Sequence, residues 1–139
     1  MSKTAIEANS LIGAWKLVSY EVRKPDGGVF LPMGSEPVGY YIISSEGYSN
    51  VCLTPGIRPK SASDNRLTDA EKIDAANVIF YAGKYEIFEN DLIVRPDVSF
   101  LPNWVGTVVV RHVKLENNLM MLSAFLKDGS EAVLTWKKP

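Results

Sequence analysis

The sequence is poor in the residues from which most catalytic and metal centres are built. It has one cysteine, Cys52, and one histidine, His112. A lone cysteine forms no disulfide within the chain, which favours a reducing, cytoplasmic setting and leaves open only a bridge between two copies. One Cys and one His cannot supply the paired spacing of a zinc site, so we expect no metal ion and no cofactor. The sequence also lacks the P-loop motif that binds nucleotide phosphates and the Gly-x-Gly-x-x-Gly motif that binds dinucleotides. It has no Gly-x-Ser-x-Gly motif, which carries the nucleophilic serine of many hydrolases.

Neither sign of charge dominates, and no long apolar run occurs. Fifteen Lys and Arg residues stand against sixteen Asp and Glu, a formal net charge of −1. This balance gives no strong field, so neither nucleic acid nor a membrane is an expected partner. Residues 1–10 are polar and lack the apolar segment of a signal peptide. We expect them to form a flexible arm ahead of a single domain, residues 11–139.

What the sequence has instead is a succession of β-strand patterns separated by turn signals. β-Branched and aromatic residues dominate the runs, and Gly, Asn and Asp mark the turns. The predicted strands cover residues 11–24, 29–33, 38–44, 48–54, 84–89, 92–99, 107–116, 119–126 and 131–137. Eight or nine strands without alternating helices predict an all-β, antiparallel up-and-down barrel, which leaves no exposed sheet edge.

One α-helix interrupts the predicted strands, from Thr68 to about Ala82. Thr68 and Glu71 have the spacing of a capping box. An apolar face follows at helical spacing, formed by Ala70, Ile73, Ala76, Asn77 and Phe80. We expect this face to pack on the barrel and Gly83 to end the helix.

Two segments break the strand pattern with rigid sequence that is untypical of hairpins. Residues 55–65 contain prolines, a glycine and serines, and their length indicates a flap. Residues 99–107 read Ser-Phe-Leu-Pro-Asn-Trp-Val-Gly-Thr, in which Pro102 stiffens the backbone and Trp104 offers a large ring. The second segment either folds over the mouth of a pocket or closes a corner of the core. We expect both segments to flank one open end of the barrel.

Several motifs together resemble a known family. They are Leu11–Ser19 with its Gly-x-Trp, Val38–Tyr40 with Gly47–Tyr48, Tyr81–Glu86, and Phe100–Thr107 with its Pro-Asn-Trp-x-Gly loop. They resemble the lipocalin-like domain family of bacteria and fungi, with spacing that holds from residue 11 to 137. The resemblance implies an antiparallel barrel that holds a small, largely apolar molecule. The sequence departs from the family pattern at Glu46 and Val94–Arg95, so no histidine site is carried over.

Arg111 is the strongest candidate for a polar ligand contact. The odd-numbered neighbours from residue 109 to 115 are apolar, so if they face the interior, Arg111 does as well. A buried guanidinium needs a partner. That partner is either Glu21 or Glu86, which would close a barrel end, or a carboxylate or carbonyl of a ligand. A shift in strand register would instead place Arg111 outside.

Four further residues complete the predicted ligand-binding set. Tyr40, Tyr85 and Trp104 combine aromatic surface with a polar tip, as pocket residues often do, and Asn103 lies in the same loop as Trp104. Core packing explains each aromatic residue equally well.

The remaining aromatic and sulfur residues have structural interpretations. Trp15 and Trp136 are expected at the closed end of the barrel, under a cation such as Lys137. Cys52 is expected to be a small buried hydrophobe. With Arg111 inside, His112 faces outward or packs against the helix.

Three functions fit this sequence. The leading one is binding of a small hydrophobic or amphipathic molecule inside the barrel. The alternative is an isomerase or cyclase acting on a small biosynthetic intermediate, with Arg111 or a tyrosine polarising a carbonyl. The third is an interaction module whose flat sheet faces form a homodimer. Fold alone does not decide among them.

Overall fold

A closed barrel of eight antiparallel strands, with a ninth short strand at its side, dominates residues 6–139, the part of the chain that this computed structural model describes. The strands are β1 (Gly13–Arg23), β2 (Val29–Phe30), β3 (Val38–Ile43), β4 (Tyr48–Thr54), β5 (Ile79–Phe88), β6 (Asp91–Ser99), β7 (Val109–Glu116), β8 (Leu119–Phe125) and β9 (Glu131–Lys137). From β3 to β9, each strand pairs with the next along the chain. The predicted all-β antiparallel barrel of eight or more strands is therefore confirmed.

The first strand closes the barrel because it is long enough to hold several partners. Residues 13–16 of β1 pair with β3, and residues 16–23 pair with β9. The register with β9 shifts between Leu17 and Ser19, where a bulge bends the strand. β3 pairs only with the first part of β1. β2 pairs with residues 22–23 on the same edge of β1, beyond the part that β3 covers. This closure leaves the barrel without a free edge along its main strands.

Strand parity decides which side chains form the core. Along β3 and β4, buried and exposed residues alternate strictly. Val51 and Leu53 are buried, and Cys52 between them is exposed. The prediction that Cys52 is buried is wrong because its neighbours take the inward positions of the strand.

A single helical turn closes one end of the barrel. This turn, α1 (Ala8–Leu11), carries the fully buried Leu11, and the Ile6 N–H donates to the carbonyl of Glu89, 3.1 Å away. Residues 6–10 of the predicted arm are therefore docked on the barrel. Residues 1–5 of that arm lie outside the described residues.

Trp15 is the main side chain at this closed end. It is 2% exposed, and its indole Nε1–H donates to the carbonyl of Leu11 at 2.9 Å. Lys138 Nζ lies 4.6 Å from the centre of the Trp15 ring, so the cation is Lys138 and not Lys137. Gly13 has φ of +131°, and a Cβ there would overlap Lys138 Nζ. The positive φ is what favours glycine in the Gly-x-Trp motif, and the missing Cβ leaves space that the Lys138 ammonium occupies.

The second helix is shorter than predicted. It is α2 (Asp69–Ala75), with Thr68 as N-cap and the predicted capping box to Glu71 present. Its predicted apolar face does not pack on the barrel, since Ile73 is 77% exposed and no helix residue is buried. The chain leaves the helix after residue 75 because pairing with β4 draws residues 79–83 into β5.

Gly83 does not end the helix as predicted but lies within β5, at a bulge opposite Pro96 of β6. A Cβ on Gly83 would overlap the carbonyl oxygen of Arg95. Close approach of two backbones, and not helix termination, therefore requires glycine at this position.

The two rigid segments lie at one end of the barrel, as predicted. Leu53 near the end of β4 pairs with Ile79 at the start of β5, and Tyr81 pairs with Ser99 at the end of β6. The loops of residues 55–78 and 100–108 therefore leave the barrel together, opposite the end that α1 closes. We call this end the mouth.

Replacing Trp15 by Ala should lower the free energy of unfolding by about 3–5 kcal/mol, because it removes a fully buried large ring. Trp15→Phe is the matched control, since it keeps a large buried ring and loses the hydrogen bond to Leu11 and part of the ring volume. Urea denaturation measures both. A loss below about 1 kcal/mol for the alanine variant would contradict the packing role of the Gly-x-Trp motif.

Candidate ligand-binding site

A cavity of about 240 Å³ lies inside the barrel and reaches the mouth. Its wall is mostly aliphatic, with leucines, Val51 and Ile79 from several strands. Six aromatic side chains complete it: Tyr20, Tyr41, Tyr81, Phe100, Trp104 and Trp136. The volume lies below the range of about 300–1,000 Å³ that is typical of drug-sized ligands. The cavity therefore fits a small molecule with a substantial apolar part.

An aromatic corner forms the mouth side of this cavity. The Trp104 ring meets the rings of Tyr81 and Phe100 edge to face, with both pairs of centroids 5.5 Å apart. A tight turn of residues 102–104 carries it, and the Thr107 hydroxyl donates to the Trp104 carbonyl at 2.6 Å. The rigid segment thus places Trp104 at the mouth of the cavity, the first of the two arrangements expected for it.

Arg111 lies on β7 and lines the cavity. Its neighbours Val109 and Val113 are buried, as the alternation of the sequence indicates. His112 lies on the outer face, where its Nδ1 is 2.5 Å from Oδ1 of Asp91. A cationic side chain therefore stands in an otherwise largely apolar wall.

Neither glutamate considered as an internal partner reaches Arg111. Glu21 pairs with Arg23 at 3.3 Å, and Glu86 pairs with Arg95 at 2.5 Å. Among residues 6–139, no carboxylate oxygen lies within 4.0 Å of Arg111, whose side chain donates one hydrogen bond, to the carbonyl of Val110 at 2.9 Å. A guanidinium carries five N–H donors, so most of its hydrogen-bonding capacity remains for a ligand or solvent.

Three tyrosines bring hydroxyl groups to the same cavity. Burial raises the pKa of Tyr20 and of Tyr81, and the positive charge of Arg111 partly opposes the rise in both. Burial raises the pKa of Tyr41 well above its usual value. All three hydroxyls therefore keep their protons at neutral pH and can donate hydrogen bonds.

Two buried donors in the cavity lining have no hydrogen-bond partner among the described residues. They are the Tyr41 hydroxyl and the Trp136 indole N–H, on rings that meet edge to face at 5.5 Å. The Tyr81 and Ser49 hydroxyls are polar neighbours of Tyr41, but neither reaches it with hydrogen-bond geometry. An unsatisfied buried donor costs about 1–3 kcal/mol. Both donor atoms are covered by neighbouring protein atoms, so this cost belongs to the packing of the two rings and not to the cavity itself.

Three of the predicted binding residues do not reach the cavity. Tyr40 lies on the outer face of β3 and is 47% exposed, because Tyr41 takes the inward position. The Tyr85 hydroxyl donates to the carbonyl of Ser44 at 2.6 Å, away from the mouth. Asn103 is exposed on the loop beside Trp104. These three residues lie outside the cavity, and a part in binding stays a prediction for them.

The tyrosines that do line the cavity were missed by sequence reasoning. Tyr41 is adjacent to the predicted Tyr40, so a one-residue choice of strand face separates the two. Tyr81 falls in the segment that was assigned to the helix. Correct parity for residues 38–43 would have identified Tyr41.

The guanidinium and indole groups that line the cavity can only donate hydrogen bonds, and the tyrosine hydroxyls can donate or accept, so the arrangement favours a ligand with acceptor groups. Among residues 6–139, no group of three His, Cys, Asp or Glu side chains could hold a metal ion. Within the same residues, neither helix has the length and hydropathy needed to cross a membrane.

Known proteins resemble this chain in sequence profile or in fold. Residues 12–139 match the sequence profile of a family described as a lipocalin-like domain. A search of curated proteins gives no match. Among solved structures, a redesigned β-barrel is 18% identical, with 99% of both chains covered and a TM-score of 0.45. An uncharacterized protein from Bacteroides eggerthii DSM 20697 is 14% identical, with 91% of this chain and 98% of that chain covered and a TM-score of 0.45.

The raised pKa of Tyr41 predicts how stability depends on pH. In the unfolded chain a tyrosine ionises near pH 10, whereas folded Tyr41 keeps its proton. The contribution of the hydroxyl to stability is thus fully present below about pH 10 and is lost as the pH rises above it. The free energy of unfolding of the wild type, relative to Tyr41→Phe, should begin to fall near about pH 10 and should continue to fall at higher pH. Urea denaturation of both proteins tests this, and a constant difference would contradict it.

Proposed function

This chain belongs to the lipocalin-like domain family, and we propose that it binds a small amphipathic molecule inside the barrel. The apolar part of the molecule packs on the aliphatic wall, and an acceptor group, a carboxylate or carbonyl, binds Arg111. Trp104 covers the bound molecule at the mouth.

The position of Arg111 is the observation that carries this proposal. It lines the cavity, and no carboxylate of the described residues lies within 4.0 Å of it. Arg111 is half-buried and donates one hydrogen bond, to the Val110 carbonyl, so its other N–H groups are available to an acceptor that enters the cavity. Arginine suits this role because its planar fork holds two oxygen atoms at once and stays charged.

Size and shape support a ligand of modest length. The cavity volume of about 240 Å³ accepts a short hydrocarbon chain or a ring with one polar end. The walls are rigid strands, and the mouth segment is held by its own hydrogen bonds. Little ordering is therefore required on binding, which favours affinity.

The other functions considered from the sequence stay predictions. An isomerase or cyclase in the same cavity would use the same donors to polarise a carbonyl, and no feature of the cavity favours it over binding. Homodimerisation through an outer sheet face also stays a prediction.

Octanoate is a suitable probe of the Arg111 contact. Calorimetry should detect its binding to the wild type, and Arg111→Leu should weaken that binding by about 2–5 kcal/mol, the range for a charge-assisted buried contact. The melting temperature of the variant should be unchanged or higher, because the substitution removes an unpaired cation and leaves no carboxylate without its partner.

Arg95→Leu is the matched control. Arg95 is exposed and paired with Glu86, so its loss should leave octanoate binding unchanged. Equal octanoate affinity for the wild type and Arg111→Leu would contradict the proposal. A large loss of stability in Arg111→Leu would instead assign that residue a structural role.

A further inference from the structure

We propose that Arg111 and Tyr20 together bind the carboxylate of the ligand, in a gap of the cavity wall above Ala124 and Ala132. This inference rests on the proposed function, because it concerns the same cavity and the same arginine. It narrows the ligand class from molecules with any oxygen acceptor to carboxylic acids that bind as anions. It also makes Tyr20 a residue that determines specificity.

Burial divides the cavity lining into a covered part and an accessible part. Tyr41, Leu122 and Trp136 are at most 2% exposed. The Tyr41 hydroxyl and the Trp136 indole nitrogen are covered by protein atoms, so a ligand does not reach them. The residues that a ligand can contact are the half-buried ones, which include Tyr20, Arg111, Ala124, Ala132 and Leu134.

Tyr20 is the most accessible of the three tyrosines that line the cavity. Tyr41 and Tyr81 are 1% and 5% exposed, whereas Tyr20 is half-buried. Among residues 6–139, no side-chain hydrogen bond involves the Tyr20 hydroxyl. Because burial raises the pKa of Tyr20, the hydroxyl keeps its proton and can donate to an acceptor in the cavity.

Strand register places two small residues between Arg111 and Tyr20. Arg111 on β7 lies beside Ala124 on β8, one residue on the mouth side of the first pair between these strands. Ala124 pairs with Ala132 on β9. Ala132 pairs in turn with Val22, two residues from Tyr20 on β1. The wall between the two polar side chains therefore presents methyl groups, which leave room for a small group of the ligand.

Arg111 and Tyr20 are long enough to approach a group in this gap from both sides. Three strand spacings of about 4.8 Å separate β7 from β1 along the wall, and the curvature of the barrel makes the straight distance shorter. The charge of Arg111 acts on the Tyr20 hydroxyl, where it partly opposes the rise in pKa that burial causes. The two side chains thus face the same part of the cavity.

A carboxylate matches these donors in number and in charge. Its two oxygen atoms have about four acceptor positions, so they can accept from the guanidinium fork and from one hydroxyl at the same time. Among residues 6–139, no carboxylate lies within 4.0 Å of Arg111, so a bound anion supplies the counter-charge. A ketone has one oxygen and no charge, and it leaves part of this arrangement unused.

Calorimetry with octanoate and 2-octanone tests the carboxylate subsite. The two probes have the same number of carbon atoms, and only octanoate is an anion, so the wild type should bind octanoate more tightly. Tyr20→Phe removes only the hydroxyl and should weaken octanoate binding about ten- to a hundredfold, the loss of a hydrogen bond to a charged acceptor. Its effect on 2-octanone should be smaller. Tyr40→Phe, the same substitution on the outer face of β3, is the control and should leave both affinities unchanged.

A double-mutant cycle shows whether the two side chains bind one group. If they share a carboxylate, Tyr20→Phe should reduce octanoate affinity less in the Arg111→Leu background than in the wild type. Equal losses in both backgrounds would contradict a shared carboxylate.

Ala132→Leu tests the position of the gap. The leucine side chain fills the space between Arg111 and Tyr20 and leaves both donors in place, so octanoate binding should be lost. Thermal unfolding shows whether the variant is folded. If it is folded and binds octanoate like the wild type, the carboxylate does not lie above Ala132. If it does not fold, the Tyr20→Phe comparison decides alone.

The outcomes separate this inference from the proposed function. Octanoate binding that depends on Arg111 but not on Tyr20 overturns the carboxylate subsite and leaves the proposed function standing. Equal losses of octanoate and 2-octanone affinity in Tyr20→Phe also overturn the subsite, because Tyr20 then does not distinguish the anion from the ketone. No binding of either probe to the wild type overturns both.

Discussion

The pairing of β1 with β9 is the constraint on which the rest of the structure depends. Once these strands join, every main strand has two neighbours, and alternate residues of all eight must fill one interior. α1 and Trp15 fill one end of that interior. The loops at the other end leave a cavity, because the segment that carries Trp104 covers the mouth without filling the space beneath it.

Because the barrel is closed, polar groups on its inner face have less access to water than they would have on an open sheet. In an open sheet, the Trp136 indole could turn to water at little cost. Inside a narrow apolar barrel, each donor needs a partner within the few ångströms that its side chain can reach. Among residues 6–139, Trp15 has such a partner and the Trp136 indole has none.

Local pattern predicted most of the strands and the parity of Arg111. The strands of residues 48–54 and 131–137 have the predicted bounds, and Arg111 lies between buried valines. Predictions failed where two local patterns competed. The pattern of residues 76–80 is compatible with a helix and with a strand. Pairing with β4 makes residues 79–80 the start of β5. In residues 38–43, apolar side chains occur on both faces, so the alternation did not distinguish Tyr40 from Tyr41.

By itself, the sequence determined the class of fold, the capped helix start at Thr68 and the end of the barrel from which the rigid segments emerge. These depend on hydrogen-bonding preferences and periodicities that act over a few residues. Only the tertiary structure decided which hydroxyls line the cavity, that Glu21 and Glu86 pair elsewhere, and that Lys138 covers Trp15. Those facts depend on distances between strands far apart in the chain, and such distances are set by register and closure and not by any local pattern.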